Sequence, residues 1–385
     1  MRKKLGVIWI LGFLFFSFNS LIFSWTPPSR LTYNLSQSLQ PKIALDSNDH
    51  IHVVWRDILG LNGELYYKKS TDGGTSWSLL KRLTWNPGLI NALSIAIDPA
   101  DVIHVVWGDN SPGNYEIYYK QSTDGGLTWS PPARLSFTAG TSDAPHLATD
   151  LGTNIFLVWA DDSFGMDELL FKSSTNSGMN WSPPNRLTWN PTRSWSPKIC
   201  VDSVGNIHLI YGEEMPPFSE IYYRNSTDGG MTWSPPNRIT WNPGLSGFPC
   251  IQTDVNNNIN IAWEDNSMGG NYEILYRRST DGGITWSALS RLTWNPTDSY
   301  EAVLAVESVS NIHIVWVNLL ATGFGDLYYK STSNSGVSWS PTTRLTFTTF
   351  DSYYVDLDLS TINKPHVVWS DENPGNAEIY FKRKK

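Results

Sequence analysis

Seven tryptophans divide the chain into nearly equal parts. Trp25, Trp77, Trp129, Trp181, Trp233, Trp286 and Trp339 follow one another at intervals of 52 or 53 residues. A fixed period of this length marks a repeat architecture, in which each unit buries its faces only against its neighbours. The clearest unit begins at Trp233 and reads WSPPNRITWNPG, FPCIQTD, INIAWED, YEILYRR and STDGGITW in succession. Four of these pieces are strand-like, apolar or aromatic, and bounded by Pro, Gly, Asn and Asp. No stretch after residue 24 sustains a helical period. Four short antiparallel strands per unit describe one blade of a β-propeller.

In the first unit the strands, from the axis outward, are predicted at 41–46 (A), 51–55 (B), 64–69 (C) and 82–84 (D). The chain ends predict how the ring closes. The start supplies only a D-type strand, at 25–32, and the end supplies A, B and C types, at 355–359, 366–369 and 378–382. Together they complete one blade and remove the open edge. The expected fold is therefore all-β: a seven-bladed propeller spanning residues 25–385, with six continuous blades and one shared between the termini. An acid opens strand C in every unit (Glu64, Glu116, Glu168, Glu220, Glu273, Asp326, Glu378), and an arginine opens strand D (Arg30, Arg82, Arg134, Arg186, Arg238, Arg291, Arg344). Folding the C–D hairpin sets Glu64 opposite Arg82, so closure predicts a long-range pair between Glu378 and Arg30.

Residues 1–24 form a different segment. Arg2, Lys3 and Lys4 precede an apolar run from Leu5 to Phe23, the pattern of a secretion signal or an uncleaved N-terminal anchor. Either form exports the propeller to the cell surface, the medium or a periplasm. The net charge is −8 and becomes more negative by three without those cations. An acidic exported chain is a poor partner for nucleic acid or anionic membrane. Membrane contact is expected only through the anchor. Two cysteines, Cys200 and Cys250, are too few for a disulfide framework and read as small buried residues.

The C–D turn reads STDGGTSW at Ser70–Trp77 and recurs in five further copies. Asp72 can accept hydrogen bonds from its own turn, and Gly73 and Gly74 allow positive φ. Equivalent acceptors are Asp124, Asn176, Asp228, Asp281 and Asn334. On these boxes the chain resembles the Asp-box, or BNR-repeat, propellers, whose best-known members are sialidases. The resemblance covers the whole chain after residue 24. It implies that the boxes are structural and lie on the face away from any active site. Sialidases grip a carboxylate with three arginines and use a Tyr–Glu nucleophile pair and an Asp acid/base. No Arg-Ile-Pro element stands near the start here, the repeated arginines belong to the outer strand, and only Arg56 and Arg193 fall on loops facing the axis. Catalytic sialidases also resemble six-bladed propellers. No catalytic residue is therefore assigned.

The units serve as an internal alignment: recurring positions are scaffold, and variable ones are open to specialisation. Strand B ends in Trp, and two residues on stands an acid in most units: Asp57, Asp109, Asp161, Glu213, Asp265 and Asp371, with Asn318 in the sixth. These either cap the loop or form a ring of carboxylates at the mouth opposite the boxes, which would favour a cation, a basic partner or sugar hydroxyls and repel a sialate. The D–A loops place Trp195, Phe248, Tyr300, Tyr353 and Tyr354 on one side of the same mouth, as suits sugar stacking or protein contact. Five histidines (His52, His104, His208, His313, His366) share one column whose other slots hold Phe156 and Asn260, so the column reads as packing. No metal-ligand spacing, phosphate loop or cofactor motif is present. The leading expectation is a non-catalytic recognition propeller that binds a glycan or a protein through this face. The alternatives are a sialidase-like glycoside hydrolase and a structural surface module. Trp195→Ala and Asp265→Ala are expected to weaken binding without unfolding the ring.

Overall fold

The computed structural model describes residues 25–385 except 61, 86 and 374, so the leader-like segment at 1–24 lies outside the described residues. Among the described residues there are seven four-stranded antiparallel sheets and no helix long and apolar enough to cross a membrane. The molecule is a seven-bladed β-propeller. In the first blade, strand A is Gln37–Leu45, B is Ile51–Leu59, C is Asn62–Ser70 and D is Lys81–Arg82. Strand D is shorter than its sequence suggests, because only two residues pair with strand C before the chain turns inward. Strand B lies between two neighbours and under two adjoining blades. It is buried on both faces from Ile51 to Trp55, which is why it reads as an uninterrupted apolar run.

The last sheet orders Ser29–Arg30, Glu378–Arg383, Pro365–Asp371 and Ser352–Leu359 side by side, so the two chain ends build one blade. Arg30 donates to Glu378 at 2.7 Å across 348 residues. The same ion pair recurs in every blade, at 2.5–2.9 Å in six of them. Its geometry differs from the expectation in one respect. The partner directly across from Arg82 is Tyr66, so Glu64 sits two residues along the strand and the long guanidinium reaches it diagonally.

Blades lock to one another by repeated contacts. Each core cluster spans two blades, as where Val54, Leu65 and Tyr67 meet Leu93, Val105 and Trp107. The box tryptophan reaches beyond its own hairpin. It packs edge-on against strand C of the preceding blade: Trp129 on Tyr67, Trp181 on Tyr119, Trp77 on Phe381 and Trp25 on Tyr329, with centroids 5.1–5.3 Å apart. In six blades a strand C cation, such as Lys68 or Lys120, donates to a leucine carbonyl just beyond strand D of the preceding blade.

Candidate functional site

Strand A lines the axis, and each copy is broken by a β-bulge near its outer-face end. At each bulge one non-glycine residue has positive φ: Gln40, Ala92, Ala144, Ser196, Phe248, Glu301 and Tyr354. A left-handed L-residue costs about 1–2 kcal/mol, so seven such residues in register need compensation. Side chains provide part of it by accepting the bulge N–H: Asn91 for Ala92, Asp143 for Ala144, Glu264 for Glu301 and Glu301 for Tyr354. Bulges re-aim side chains at barrel rims and binding sites.

All seven bulge residues line one central funnel of about 530 Å³. The funnel is lopsided. Blades 2 to 4 contribute Ala92, Ala144 and Ser196, whereas blades 5 to 7 contribute Phe248, Glu301 and Tyr354 together with Tyr300. A side groove of about 350 Å³ adjoins it, walled by Trp195, Phe218, Leu245 and Phe248, and the two share Phe248, Glu264 and Tyr272. The groove exists because the B–C hairpin of blade 4 is extended, with Ile207–Met215 pairing to Phe218–Ser226 around Pro216 and Pro217. Trp195 meets Phe248 edge-on at 5.0 Å, and Phe248 is 54% exposed.

The loop aromatics singled out by sequence thus gather at this mouth. Trp195 walls the side groove, while Phe248 and Tyr300 line the funnel. Tyr353 stacks edge-on against Tyr354 at 4.9 Å and donates to Glu372 at 2.9 Å.

The carboxylate column does not form a ring at the mouth. Asp57, Asp109, Asp161, Glu213, Asp265 and Asp371 are all buried, as is Asn318. Each aspartate of the column is drawn in by donors of its own blade. Trp55, Trp107, Trp263 and Trp369 donate indole N–H groups to Asp57, Asp109, Asp265 and Asp371. A strand A serine donates to Asp161, Asp265 and Asp371 at 2.7–2.9 Å. Burial raises Asp57 to about 6 and Glu213 to about 7. Asp109, Asp161, Asp265 and Asp371 each accept the backbone N–H two residues on and so cap the B–C loop.

The boxes likewise act on their own turns. Asp72 accepts the Ser76 hydroxyl at 2.6 Å and the Thr75 and Ser76 N–H groups, and these bonds hold its carboxyl near 2. Asp124, Asp228 and Asp281 repeat this bonding to Thr128, Thr232 and Thr285, while Asn176 and Asn334 accept the N–H of Asn180 and Ser338. The histidines are scaffold: His52, His104, His208 and His313 bridge a strand C tyrosine hydroxyl at 2.7–2.8 Å to a turn carboxylate. Both cysteines are free thiols.

Three carboxyl groups reach the funnel: Glu264, which the sequence offers beside Asp265 as an acid/base pair, and Asp298 and Glu301, which sequence reading did not single out. Glu264 is pushed up to about 7 by burial, and Glu301 is raised for the same reason. Two residues beyond the bulge, strand A carries a varied column, Lys42, Ser94, His146, Lys198, Cys250, Val303 and Asp356, of which Lys42, Lys198, Cys250 and Val303 line the funnel. Aligning the seven strand A copies shows this column to be as varied as the bulge column two residues before it, and that was the available signal. Arginines do not cluster here. Arg56 donates to the Ile90 carbonyl, Arg193 pairs with Asp167, and the seven strand D arginines are committed to their glutamates and the one aspartate.

Comparison with solved structures returns the same fold. The chain is similar to a protein of unknown function from Dyadobacter fermentans DSM 18053 (TM-score 0.62, 12% identity, 94% of this chain and 99% of that one). It is similar to the polysaccharide lyase Uly1 (TM-score 0.62, 12% identity, 89% of each) and to the Hadza microbial sialidase Hz136 (TM-score 0.53, 17% identity, 87% of this chain and 76% of that one). At these identities the likeness shows the fold alone. No curated protein sequence matches the chain. The BNR repeat-like domain matches residues 165–368, just over half of the chain. With that match and the box turns repeated around the ring, the protein belongs to the BNR repeat-like family of sialidase-like β-propellers.

Proposed function

We propose that this protein binds a saccharide in the lopsided funnel on the face opposite the Asp boxes, and that its leader-like start places it outside the cytoplasm. The observation that carries the reading is the convergence of Phe248, Tyr300 and Tyr354 with three carboxyl groups, Glu264, Asp298 and Glu301, around one cavity of about 530 Å³, in a ring whose other faces repeat. Aromatic faces stack on sugar C–H surfaces, and the few polar groups fix orientation. The named neighbours with assigned activities, a polysaccharide lyase and a sialidase, support a carbohydrate ligand without choosing a reaction.

A hydrolase reading is favoured by one observation, the two funnel carboxyls with raised pKa values. Such groups suit general acid work near neutral pH. The experiment is a glycan array run beside fluorogenic glycosides, sialosides included. Binding that Phe248→Ala weakens by about tenfold or more, with no turnover, is the expected result. Turnover abolished by Glu264→Gln or Glu301→Gln establishes the hydrolase instead. No binding and no turnover overturns both.

A further inference from the structure

The funnel floor holds a cation with nothing to bind. Lys198, on strand A of blade 4 (Ser194–Val201), lines the cavity and makes no hydrogen bond or ion pair among the described residues. Its counterpart in blade 1, Lys42, lines the same cavity and has Asp356 at 3.6 Å. A second orphan lies beside them: the buried side-chain oxygen of Gln40 has no partner. An unpaired ammonium enclosed by protein is costly, so a chain that keeps one at a cavity wall has a use for it.

The acids that line the funnel do not supply the missing partner, and Asp356, whose charge also reaches Lys198, is paired with Lys42. Glu264 accepts the backbone N–H of Glu301, and Glu301 accepts that of Tyr354. Asp298 accepts the N–H of Tyr272. His146, between the two lysines in the ring order, accepts the Ile199 N–H and is held neutral by burial and by both ammonium groups. Cys250, the blade 5 member of the same column, is a protonated thiol pushed up to about 12.

We propose that the saccharide bound in the funnel carries an anionic substituent, a carboxylate or a sulfate, and that Lys198 binds it while Lys42 adds charge from blade 1. The inference rests on the saccharide reading above and narrows it to acidic sugars. It reverses the expectation drawn from the carboxylate column, because those acids are withdrawn into the blades and the floor keeps one cation, Lys198, without a paired carboxylate. The site differs from a three-arginine carboxylate grip, since the funnel holds lysines and no arginine. The pH dependence follows from the facing groups. Lys198 is depressed to about 8 by burial and by Lys42, which outweigh the opposing charge of Asp356, so it loses its own charge as pH rises through 8. Glu264 gains charge as pH rises through about 7, and Glu301, also raised, does so in the same sense. Cys250 and His146 stay neutral, so an anionic ligand binds more tightly at pH 6 than at pH 9.

The test is calorimetric titration of wild type, Lys198→Met, Lys198→Arg and Phe248→Ala with three probes: polygalacturonate, dextran sulfate and dextran. The expected result is binding of at least one acidic probe about tenfold or more tighter than dextran. Lys198→Met removes that advantage, Lys198→Arg keeps most of it, and the preferred acidic probe identifies carboxylate or sulfate. Dextran bound as tightly as both acidic probes, or an acidic preference unchanged in Lys198→Met, overturns the inference and leaves the saccharide reading standing. No binding of any probe, or binding indifferent to Phe248→Ala, overturns the saccharide reading itself.

Discussion

Two aspartates that recur around the ring, Asp57 and Asp72, are pushed in opposite directions by their surroundings. Burial raises Asp57 to about 6, whereas hydrogen bonds from Ser76 hold the exposed Asp72 near 2. The sign follows from linkage. A raised acid costs stability as pH climbs from its unfolded value to its folded one. A lowered acid gives stability above its unfolded value and loses it as pH falls. Glu264 extends the first case, because its folded value near 7 makes ionisation unfavourable between about 4.5 and 7. Glu264→Gln should therefore gain stability relative to wild type as pH rises from 5 to 8, by on the order of 3 kcal/mol. Urea denaturation at several pH values checks this, and a pH-independent difference would show that Glu264 is not desolvated. Asp265 gives a contrasting prediction. It accepts from Trp263, Ser246, Asn242 and Ser267 and is fully buried. Asp265→Ala leaves those donors unpaired and should cost about 1–3 kcal/mol in the denaturation midpoint, in place of the pure binding defect that sequence suggested.

At the scale of the element, strand identity and order were legible because each strand type leaves its own mark. Strand B reads as an apolar run, strand C opens on an acid, and the box closes the hairpin between Ser70 and Trp77. The bulge in strand A was not legible. Gln40, Ala92, Ala144, Ser196, Phe248, Glu301 and Tyr354 share a backbone conformation but no side-chain chemistry, and none is glycine. The direction of the box tryptophans was hidden for a related reason, since a local turn motif does not say that its ring belongs to the neighbouring blade. That contact carries a prediction. Trp181→Ala removes the ring packed on Tyr119 and should cost about 3 kcal/mol in thermal unfolding. The exposed aromatics after strand D also belong to the scaffold. Tyr33, Phe137 and Trp241 lie 4.2–4.6 Å from the guanidinium of their own blade's arginine, covering an ion pair that is otherwise open to solvent.

For the whole molecule, seven near-identical units impose a symmetry that the funnel breaks. The ring is held by terms repeated seven times, and the closing blade uses the same ones: the Arg30–Glu378 pair and Trp25 against Tyr329. Glu378→Ala should then cost about as much as Glu168→Ala, on the order of 1–3 kcal/mol. A far larger loss for Glu378→Ala would mark closure as the weak point of the ring. Sequence alone pointed to the face on which the funnel opens, because the Asp boxes define its opposite. It could not locate the floor, since Lys42, Lys198 and Glu264 acquire meaning only when distant blades bring them to one cavity. The central claim is that repeated groups hold the ring and the unrepeated funnel groups bind. The most direct measurement is a paired assay of saccharide affinity and melting temperature on Phe248→Ala and Asp72→Ala. Phe248→Ala should lose affinity and keep its melting temperature, while Asp72→Ala should keep affinity and melt earlier. The reverse pattern, with affinity lost at Asp72 and retained at Phe248, would contradict the account.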